Sequence, residues 1–448
     1  MESGVKQGCL TSPSLFAVYI NDLAERINSL NCGIPIDDIF LSILLYADDI
    51  AVIAPDEEKL QRMLDVVASR CQDWKLLVNP TKTKIVHFRN VSKDRSNYSF
   101  NCGNVSLDYA DSYKYLGLWF DQHLSMDKAV SELGKSASRA LGALFGMFIS
   151  SGGMTWKVFL KLYESMVEPV LFYGSGIWGT KSYNVINNVQ NKAAKYFLAV
   201  GKHTSNLSVR GDLGLTTCFT KQKLSCLRLK CKLVRTNDDR LISKIAKWAA
   251  RRRKGWHFQV TKLASEIDAG NIVDDLSISA KRATNIIKEK LCSLDQEQFT
   301  QDLFNDRNNV NGNKLRTYRL YKDSVEAEPY VTCQLPRSVR RTLSQFRSGA
   351  LPLAVETGRY SRPQVPLNDR LCKFCALNSV EDEIHFLMLC PLYTDIRYEL
   401  FLKASETILN FNMMNMTDKF ISLMNCGQIQ SSLAHTLHKF CIRRKRFL

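Results

Sequence analysis

Two sets of residues in this chain have types and spacing that could do chemistry. The first is the adjacent carboxylate pair Asp48-Asp49 in the run Leu44-Leu45-Tyr46-Ala47-Asp48-Asp49-Ile50-Ala51-Val52-Ile53. Held on a rigid scaffold, such a pair can bind divalent cations together with substrate phosphates. Two cations held so can clamp the attacking and leaving oxygens of an in-line phosphoryl transfer. Aspartate is also at home in ordinary hairpin turns, and that plainer reading stands beside the first. The second set is Cys372, Cys375, His385 and Cys390, spaced C-x2-C-x9-H-x4-C. A close Cys pair on a turn, with a His and a Cys one helical turn apart, supplies four ligands for structural zinc (Zn2+). The alternative is free thiols and a capped core histidine.

These residues need elements to position them. Ile43, Leu44 and Leu45 before the pair and Ile50, Val52 and Ile53 after it favour strands, so Asp48 and Asp49 are expected at the tip of a β-hairpin. Upstream, Gly4-Val5-Lys6-Gln7-Gly8 is a glycine-bracketed loop running into Ser12-Pro13 and an apolar helix. The glycines let backbone approach a ligand, and Pro13 suits a first helical turn. Leu15, Phe16, Tyr19, Ile20 and Leu23 repeat at helical spacing and are expected in the core. Further on, Trp156, Phe159, Leu160, Tyr163, Met166 and Val167 form a helical stripe that Pro169 should end. Near the zinc set, Glu381-Asp382-Glu383 predicts a helix start, with Ile384, Phe386, Leu387 and Leu389 on its apolar side.

The loop-helix followed by Tyr46-Ala47-Asp48-Asp49 resembles the palm of reverse transcriptases, specifically those of non-LTR (LINE-type) retrotransposons. The resemblance continues in order through Leu77-Val78-Asn79-Pro80-Thr81-Lys82-Thr83-Lys84 and Tyr113-Lys114-Tyr115-Leu116-Gly117. It extends to Tyr173-Gly174…Trp178-Gly179, Val189-Gln190-Asn191-Lys192 and Val209-Arg210-Gly211-Asp212-Leu213-Gly214. It implies RNA-directed DNA polymerase activity, with Asp48 and Asp49 holding catalytic magnesium (Mg2+). It also implies that Gln7, Gly8 and Tyr46 line the nucleotide and template side. Lys82 would lie near the departing pyrophosphate, as a proton donor or charge clamp. A solvated lysine before a strand is the alternative for Lys82 or Lys84. Tyr115, Leu116 and Gly117 would grip the primer strand, whereas Trp178 and Tyr173 read better as core aromatics. The tail, with Glu356-Thr357-Gly358-Arg359-Tyr360 ahead of the Cys and His ligands and Cys390-Pro391 at the end, resembles the Cys-Cys-His-Cys (CCHC) module of LINE proteins. In that family the module is ascribed to RNA or DNA binding. The implied partners are an RNA template and a DNA primer or target.

Polymerases of this family use a further aspartate on a strand upstream of the glycine-bracketed loop. Met1 precedes Gly4 by only three residues, and Asp22, Asp37 and Asp38 follow the loop. The expectation is therefore a chain truncated within the palm, lacking fingers and inactive alone. The alternatives are a non-enzymatic nucleic-acid-binding remnant and a zinc-stabilised protein-interaction module.

Composition bounds these readings. The 448 residues suffice for roughly two to four domains. Lys and Arg number 61 against 44 acids, a formal charge of +17 that suits phosphate backbones. Arg251-Arg252-Arg253-Lys254, the Arg337, Arg340, Arg341 and Arg347 series, and Arg443-Arg444-Lys445-Arg446 could each be phosphate contacts, solvated faces or nuclear-import signals. Trp248 and Trp256 flank the first cluster as stacking surfaces or buried helix aromatics. No apolar run approaches bilayer length and no secretory leader is evident. The 14 scattered cysteines favour a reducing compartment, hence an intracellular protein of nucleus or cytoplasm, not membrane-bound and not secreted. The expected fold class is α+β. It comprises a partial palm of antiparallel sheet with helices over 1–120, a thumb-like helical region over 121–204, and a helical connector over 205–330. A basic region with the zinc-knuckle-like module follows over 331–448. The Asn-rich stretch 305–313 reads as a linker. Oligomeric state is not legible.

Overall fold

The computed structural model describes residues 8–305 and 314–445. The chain forms two compact units: residues 1–129 with 232–261, and residues 130–231 with 262–448.

In the first unit, helix α1 (Ser12–Ser29) carries Pro13 in its first turn, as expected, and buries Ile20, Leu23 and Ile27. Phe16 is half-buried, but Leu15 and Tyr19 are exposed. The buried stripe thus starts one turn later than the apolar spacing suggests, and Tyr19 instead packs on Trp74 with ring centroids 3.7 Å apart. Helix α2 (Glu57–Asp73) is capped by Asp56, whose carboxylate accepts from the Lys59 amide at 2.9 Å. Glu57 and Glu58 complement the helix dipole in its first turn. An Arg70–Asp22 ion pair joins α2 to α1. Met63 and Val67 of α2 share a core with α1 and with Phe100.

Among the described residues the sheet content is four separate antiparallel hairpins, not one continuous sheet: β1 (Ile34–Ile36) with β2 (Ile39–Leu41), β3 (Ile43–Tyr46) with β4 (Asp49–Val52), β5 (Phe100–Cys102) with β6 (Val105–Leu107), and β7 (Ser112–Tyr115) with β8 (Leu118–Asp121). Each closes on a two-residue turn. The first turn residue has positive φ in every case: Asp37 at 52°, Ala47 at 51°, Gly103 at 60° and Leu116 at 48°.

The second unit is helical. It includes most of α3 (Asp127–Ser150), whose Phe145 and Phe148 meet Trp156, Phe159, Tyr196 and Phe197 in one aromatic cluster. Trp156, Phe159, Tyr163 and Val167 are buried as the helical stripe predicts. Pro169 does not end that helix. Helix Trp156–Leu162 runs through a π turn at Tyr163–Val167 into Glu168–Leu171, and the Glu168 amide bonds the Tyr163 carbonyl. The wider i→i+5 turn re-routes the hydrogen bonds just ahead of Pro169, which has no N–H to offer. Trp178 is buried and donates to the Tyr173 carbonyl at 2.9 Å, whereas Tyr173 itself is about half exposed. The Asn-rich stretch lies, beyond Asn305, outside the described residues.

The Gly211-Asp212 motif is buried within this unit. Asp212 accepts from Tyr318 Oη at 2.9 Å, from Tyr330 Oη at 2.7 Å, and from Arg347 Nε at 3.0 Å and Nη2 at 3.1 Å. Arg347 also pairs with Glu328 at 3.0 Å. Gly211 allows this approach, since a Cβ there would lie 2.6 Å from Tyr318 Oη.

Candidate functional site

The strand-forming runs on either side of the carboxylate pair fold as the sequence predicts. Pairing of Tyr46 with Asp49 closes the β3–β4 hairpin, leaving Ala47-Asp48 as its turn and Asp49 as the first residue of β4. Tyr46, Asp48 and Asp49 are all exposed. Neither carboxylate has a hydrogen bond or ion pair among the described residues. Oxygen donors in this state are free to take a hard cation.

The β7–β8 hairpin places Leu116-Gly117 in a turn with φ of 48° and 84°, the double-positive form that favours a tight hairpin. Tyr115 closes it. Burial pushes the Tyr115 phenol up, and the charge of Asp49 adds to the effect.

Lys82 lies on a turn organised by Asn79. The Asn79 Oδ1 accepts from the Thr81 amide at 3.1 Å, the Lys82 amide at 3.2 Å and Thr81 Oγ1 at 2.7 Å. Lys82 is exposed and its amine has no partner among the described residues, whereas Lys84 is held by Asp108 at 2.7 Å. The pairing holds the Asp108 carboxyl below its ordinary range. The two lysines are thereby distinguished, and only Lys82 is available to a ligand. Gly8 is exposed with φ of 81°, and nothing lies within 4 Å of a Cβ built there. Gln7 lies outside the described residues.

The four zinc-type donors come together. The ligand atoms of Cys372, Cys375, His385 and Cys390 all lie within 4.8 Å of one another. Cys372 Sγ is 4.0 Å from Cys390 Sγ, and Cys375 Sγ is 3.5 Å from His385 Nε2. A tetrahedron with Zn–S of about 2.3 Å has an S···S edge of about 3.8 Å, which the Cys372–Cys390 separation approaches, and the four donors need only draw in from their 4.8 Å spread to hold zinc. The Cys pair sits on a short loop closed by the Leu371–Val380 bridge, with the Cys372 amide donating to the Ser379 carbonyl at 2.9 Å. His385 and Cys390 are the two ends of a π turn in which the Cys390 amide bonds the His385 carbonyl at 2.9 Å. In an α-helix, residues five apart point about 140° away from each other. The π turn brings them back into line, which explains how an H-x4-C spacing serves one centre. Asp382 starts the turn by accepting from the His385 amide at 2.7 Å. Burial pushes the Cys372 thiol up to about 12 and the Cys390 thiol up as well, and holds His385 below its ordinary value. Three clustered thiols become ligands only when a cation replaces their protons.

Residues that the spacing did not reveal hold this cage. Arg397 donates to the Leu387 carbonyl at 2.7 Å and the Cys390 carbonyl at 2.6 Å, pinning the end of the π turn. Arg444 pairs with Glu381 and lies over the Phe374 ring at 4.6 Å. The basic clusters divide accordingly. Arg347, Arg443 (on Asp395) and Arg444 are engaged in internal ion pairs. Arg251 pairs with Asp37, and Arg252 stacks on Trp248 at 3.9 Å, while Arg253 and Lys254 are exposed. Arg446 lies outside the described residues. No helix among the described residues is long and apolar enough to cross a membrane.

Residues 1–120 match the family of reverse transcriptases (RNA-dependent DNA polymerases). The chain is 27% identical over 226 residues to a probable RNA-directed DNA polymerase from transposon BS of Drosophila melanogaster, covering 48% of this chain and 24% of that protein. It is 25% identical over 201 residues to the RNA-directed DNA polymerase from mobile element jockey of Drosophila funebris, covering 44% and 21%. It is 23% identical over 243 residues to a retrovirus-related Pol polyprotein from the type-1 retrotransposable element R1 of Nasonia vitripennis, covering 51% and 68%. The match thus spans less than a quarter of the length of the first two relatives.

Proposed function

The chain is reverse transcriptase sequence of the non-LTR retrotransposon kind, and on that footing we propose that residues 1–120 form part of the palm of an RNA-directed DNA polymerase. Asp48 and Asp49 are its magnesium-holding carboxylates. The observation that carries this reading is the β3–β4 turn, with two adjacent, exposed and unpaired carboxylates inside the segment matched to the family. They suit Mg2+, which takes one or two carboxylates, keeps several waters and draws its remaining oxygens from substrate phosphates. When bound, the ion would supply charge stabilisation to phosphoryl transfer. Lys82 faces the departing pyrophosphate. Gln7, Gly8 and Tyr46 line the nucleotide and template side, and the Tyr115-Leu116-Gly117 turn holds the primer strand. Beyond the palm we assign a thumb to 121–204, a connector to 205–330, and a basic region to 331–448. There Cys372, Cys375, His385 and Cys390 hold a structural zinc, a closed four-ligand set with no open position. The partners are an RNA template and a DNA primer or target.

A second reading, nucleic-acid binding without catalysis, is favoured by one observation. Asp22, Asp37 and Asp38 are each paired with a cation (Arg70, Arg251 and Lys244), unlike the unpaired Asp48-Asp49 pair. RNA-templated primer extension by the full chain with magnesium, run beside binding of the same primer–template, separates the two. Incorporation that Asp49→Asn abolishes establishes the polymerase. Salt-sensitive binding without incorporation selects the second reading, and absence of both overturns each.

A further inference from the structure

Helix Arg337–Arg347 lies in the second unit and begins at Pro336 with no side-chain cap. Two of its arginines rest on the aromatic cluster. Arg340 lies over the Phe197 ring at 4.1 Å, and Arg337 over the Tyr196 ring at 4.8 Å. Arg340 is only 4% exposed, yet its guanidinium has no hydrogen bond or ion pair among the described residues, and its Nε is fully buried without a partner. The neighbouring Tyr196 hydroxyl is likewise buried and unpartnered. Burial pushes the Arg340 guanidinium down to about 10, with Arg337 adding to the effect, so it stays charged at neutral pH. Elsewhere in this unit buried guanidinium groups are hydrogen-bonded: Arg347 to Asp212, Arg397 to the Leu387 and Cys390 carbonyls, and Arg370 to the Val355 and Val365 carbonyls. A buried charge without a counter-ion costs several kcal/mol, so an unpaired one points to an anion supplied from outside.

We propose that Arg337 and Arg340, on the shelf made by Tyr196 and Phe197, form a binding site for a backbone phosphate group of a nucleic-acid strand. The assignment to nucleic acid rests on the reading given under Proposed function. Two guanidinium groups present fork-shaped donors suited to phosphate oxygens. The open amides and positive dipole end of an eleven-residue helix add to the same field. Arg337 and Arg341 are exposed on the same helix. Tyr196 offers its hydroxyl as a further donor.

The test uses the full chain and a labelled single-stranded RNA, with affinity measured by anisotropy across a salt series. The double variant Arg337→Ala/Arg340→Met should lose at least about tenfold in affinity, since it removes two phosphate contacts and a single charge-assisted hydrogen bond is already worth about that. Its plot of log affinity against log salt should be shallower by about 1.4, at about 0.7 per lost contact on a single strand. Arg340→Met alone should keep or raise the melting temperature, because it removes an unpaired buried charge while retaining contact with Phe197. Unchanged affinity and slope in the folded double variant would overturn the site. So would a drop of several degrees in the melting temperature of Arg340→Met, which would make the guanidinium structural. If inorganic phosphate stabilises the wild type but not Arg340→Met while RNA affinity is unchanged, the site takes a free anion and the nucleic-acid assignment falls. Failure of the wild type to bind RNA at all overturns the reading beneath it as well.

Discussion

The Asp48-Asp49 turn in the first unit and the Asp212 centre in the second place carboxylates in opposite surroundings. Asp48 and Asp49 are solvent-exposed, adjacent to a like charge and without partners among the described residues. Asp212 is 2% exposed and accepts from two tyrosine hydroxyls and a fully buried arginine. Water solvates the first pair cheaply and leaves their lone pairs available to a metal. The buried carboxylate spends every lone pair internally, so it can serve only the fold. The zinc-type cage lies between these extremes, being mostly buried like Asp212 but with thiols whose protons a cation can replace.

The largest effect should follow from the cage. Zinc analysis of the full chain is expected to return about one equivalent, and Cys372→Ser or Cys390→Ser should abolish it and unfold the C-terminal module. Metal binding at a closed site contributes on the order of 10 kcal/mol in isolated modules, less within a unit that has its own core. Acidification should release the metal. Burial already raises the Cys372 and Cys390 thiols above their ordinary values, so protons compete more strongly with zinc as pH falls. Unchanged metal content in either Cys variant would remove the cage from the comparison.

Next in size is Asp212→Asn, which leaves the Arg347 charge buried without its carboxylate partner. The expected cost in urea unfolding is about 3–5 kcal/mol. Combining it with Arg347→Met should cost less than the sum of the two, by about 1–3 kcal/mol, because the same interaction is removed only once. By contrast, Asp49→Asn should leave stability within about 0.5 kcal/mol of wild type. Equal destabilisation by Asp49→Asn and Asp212→Asn would erase the distinction between the exposed, unpaired carboxylate and the buried one.

Much of this contrast was legible in the sequence because its signals are local. Two apolar strand-forming runs around Tyr46-Ala47-Asp48-Asp49 predict a hairpin, and the C-x2-C-x9-H-x4-C spacing predicts the cage. The arginine clusters were ambiguous for the opposite reason. The partner of Arg347 is 135 residues away, that of Arg444 is 63 away and that of Arg443 is 48 away, so charge runs alone cannot distinguish a phosphate-facing cluster from a buried network. The π turns at Tyr163–Val167 and His385–Leu389 were hidden because periodicity rules assume one helical pitch. They account for the passage of the helix through Pro169 and for the alignment of His385 with Cys390.

The smallest expected effect sharpens the comparison most, because it concerns backbone and not charge. All four hairpin turns of the first unit put their first residue at positive φ. Gly103 adopts that conformation freely and Asp37 tolerates it, whereas alanine and leucine pay about 1–2 kcal/mol there. Those two costly residues, Ala47 and Leu116, occupy the turns that carry the Asp48-Asp49 pair and the Tyr115-Gly117 motif. Positive φ also occurs at Lys75, Leu124 and Ala199 outside these turns, so the test is whether the strain at Ala47 serves the carboxylate pair. Ala47→Gly should therefore stabilise the first unit by about 0.5–1 kcal/mol in urea unfolding. At the same time it should loosen the geometry that holds Asp48 beside Asp49 and weaken manganese binding to the pair, read by paramagnetic broadening of the hairpin amides. If Ala47→Gly stabilises the unit and leaves manganese binding untouched, the strain is incidental. The turn would then differ from Asp212 only in exposure.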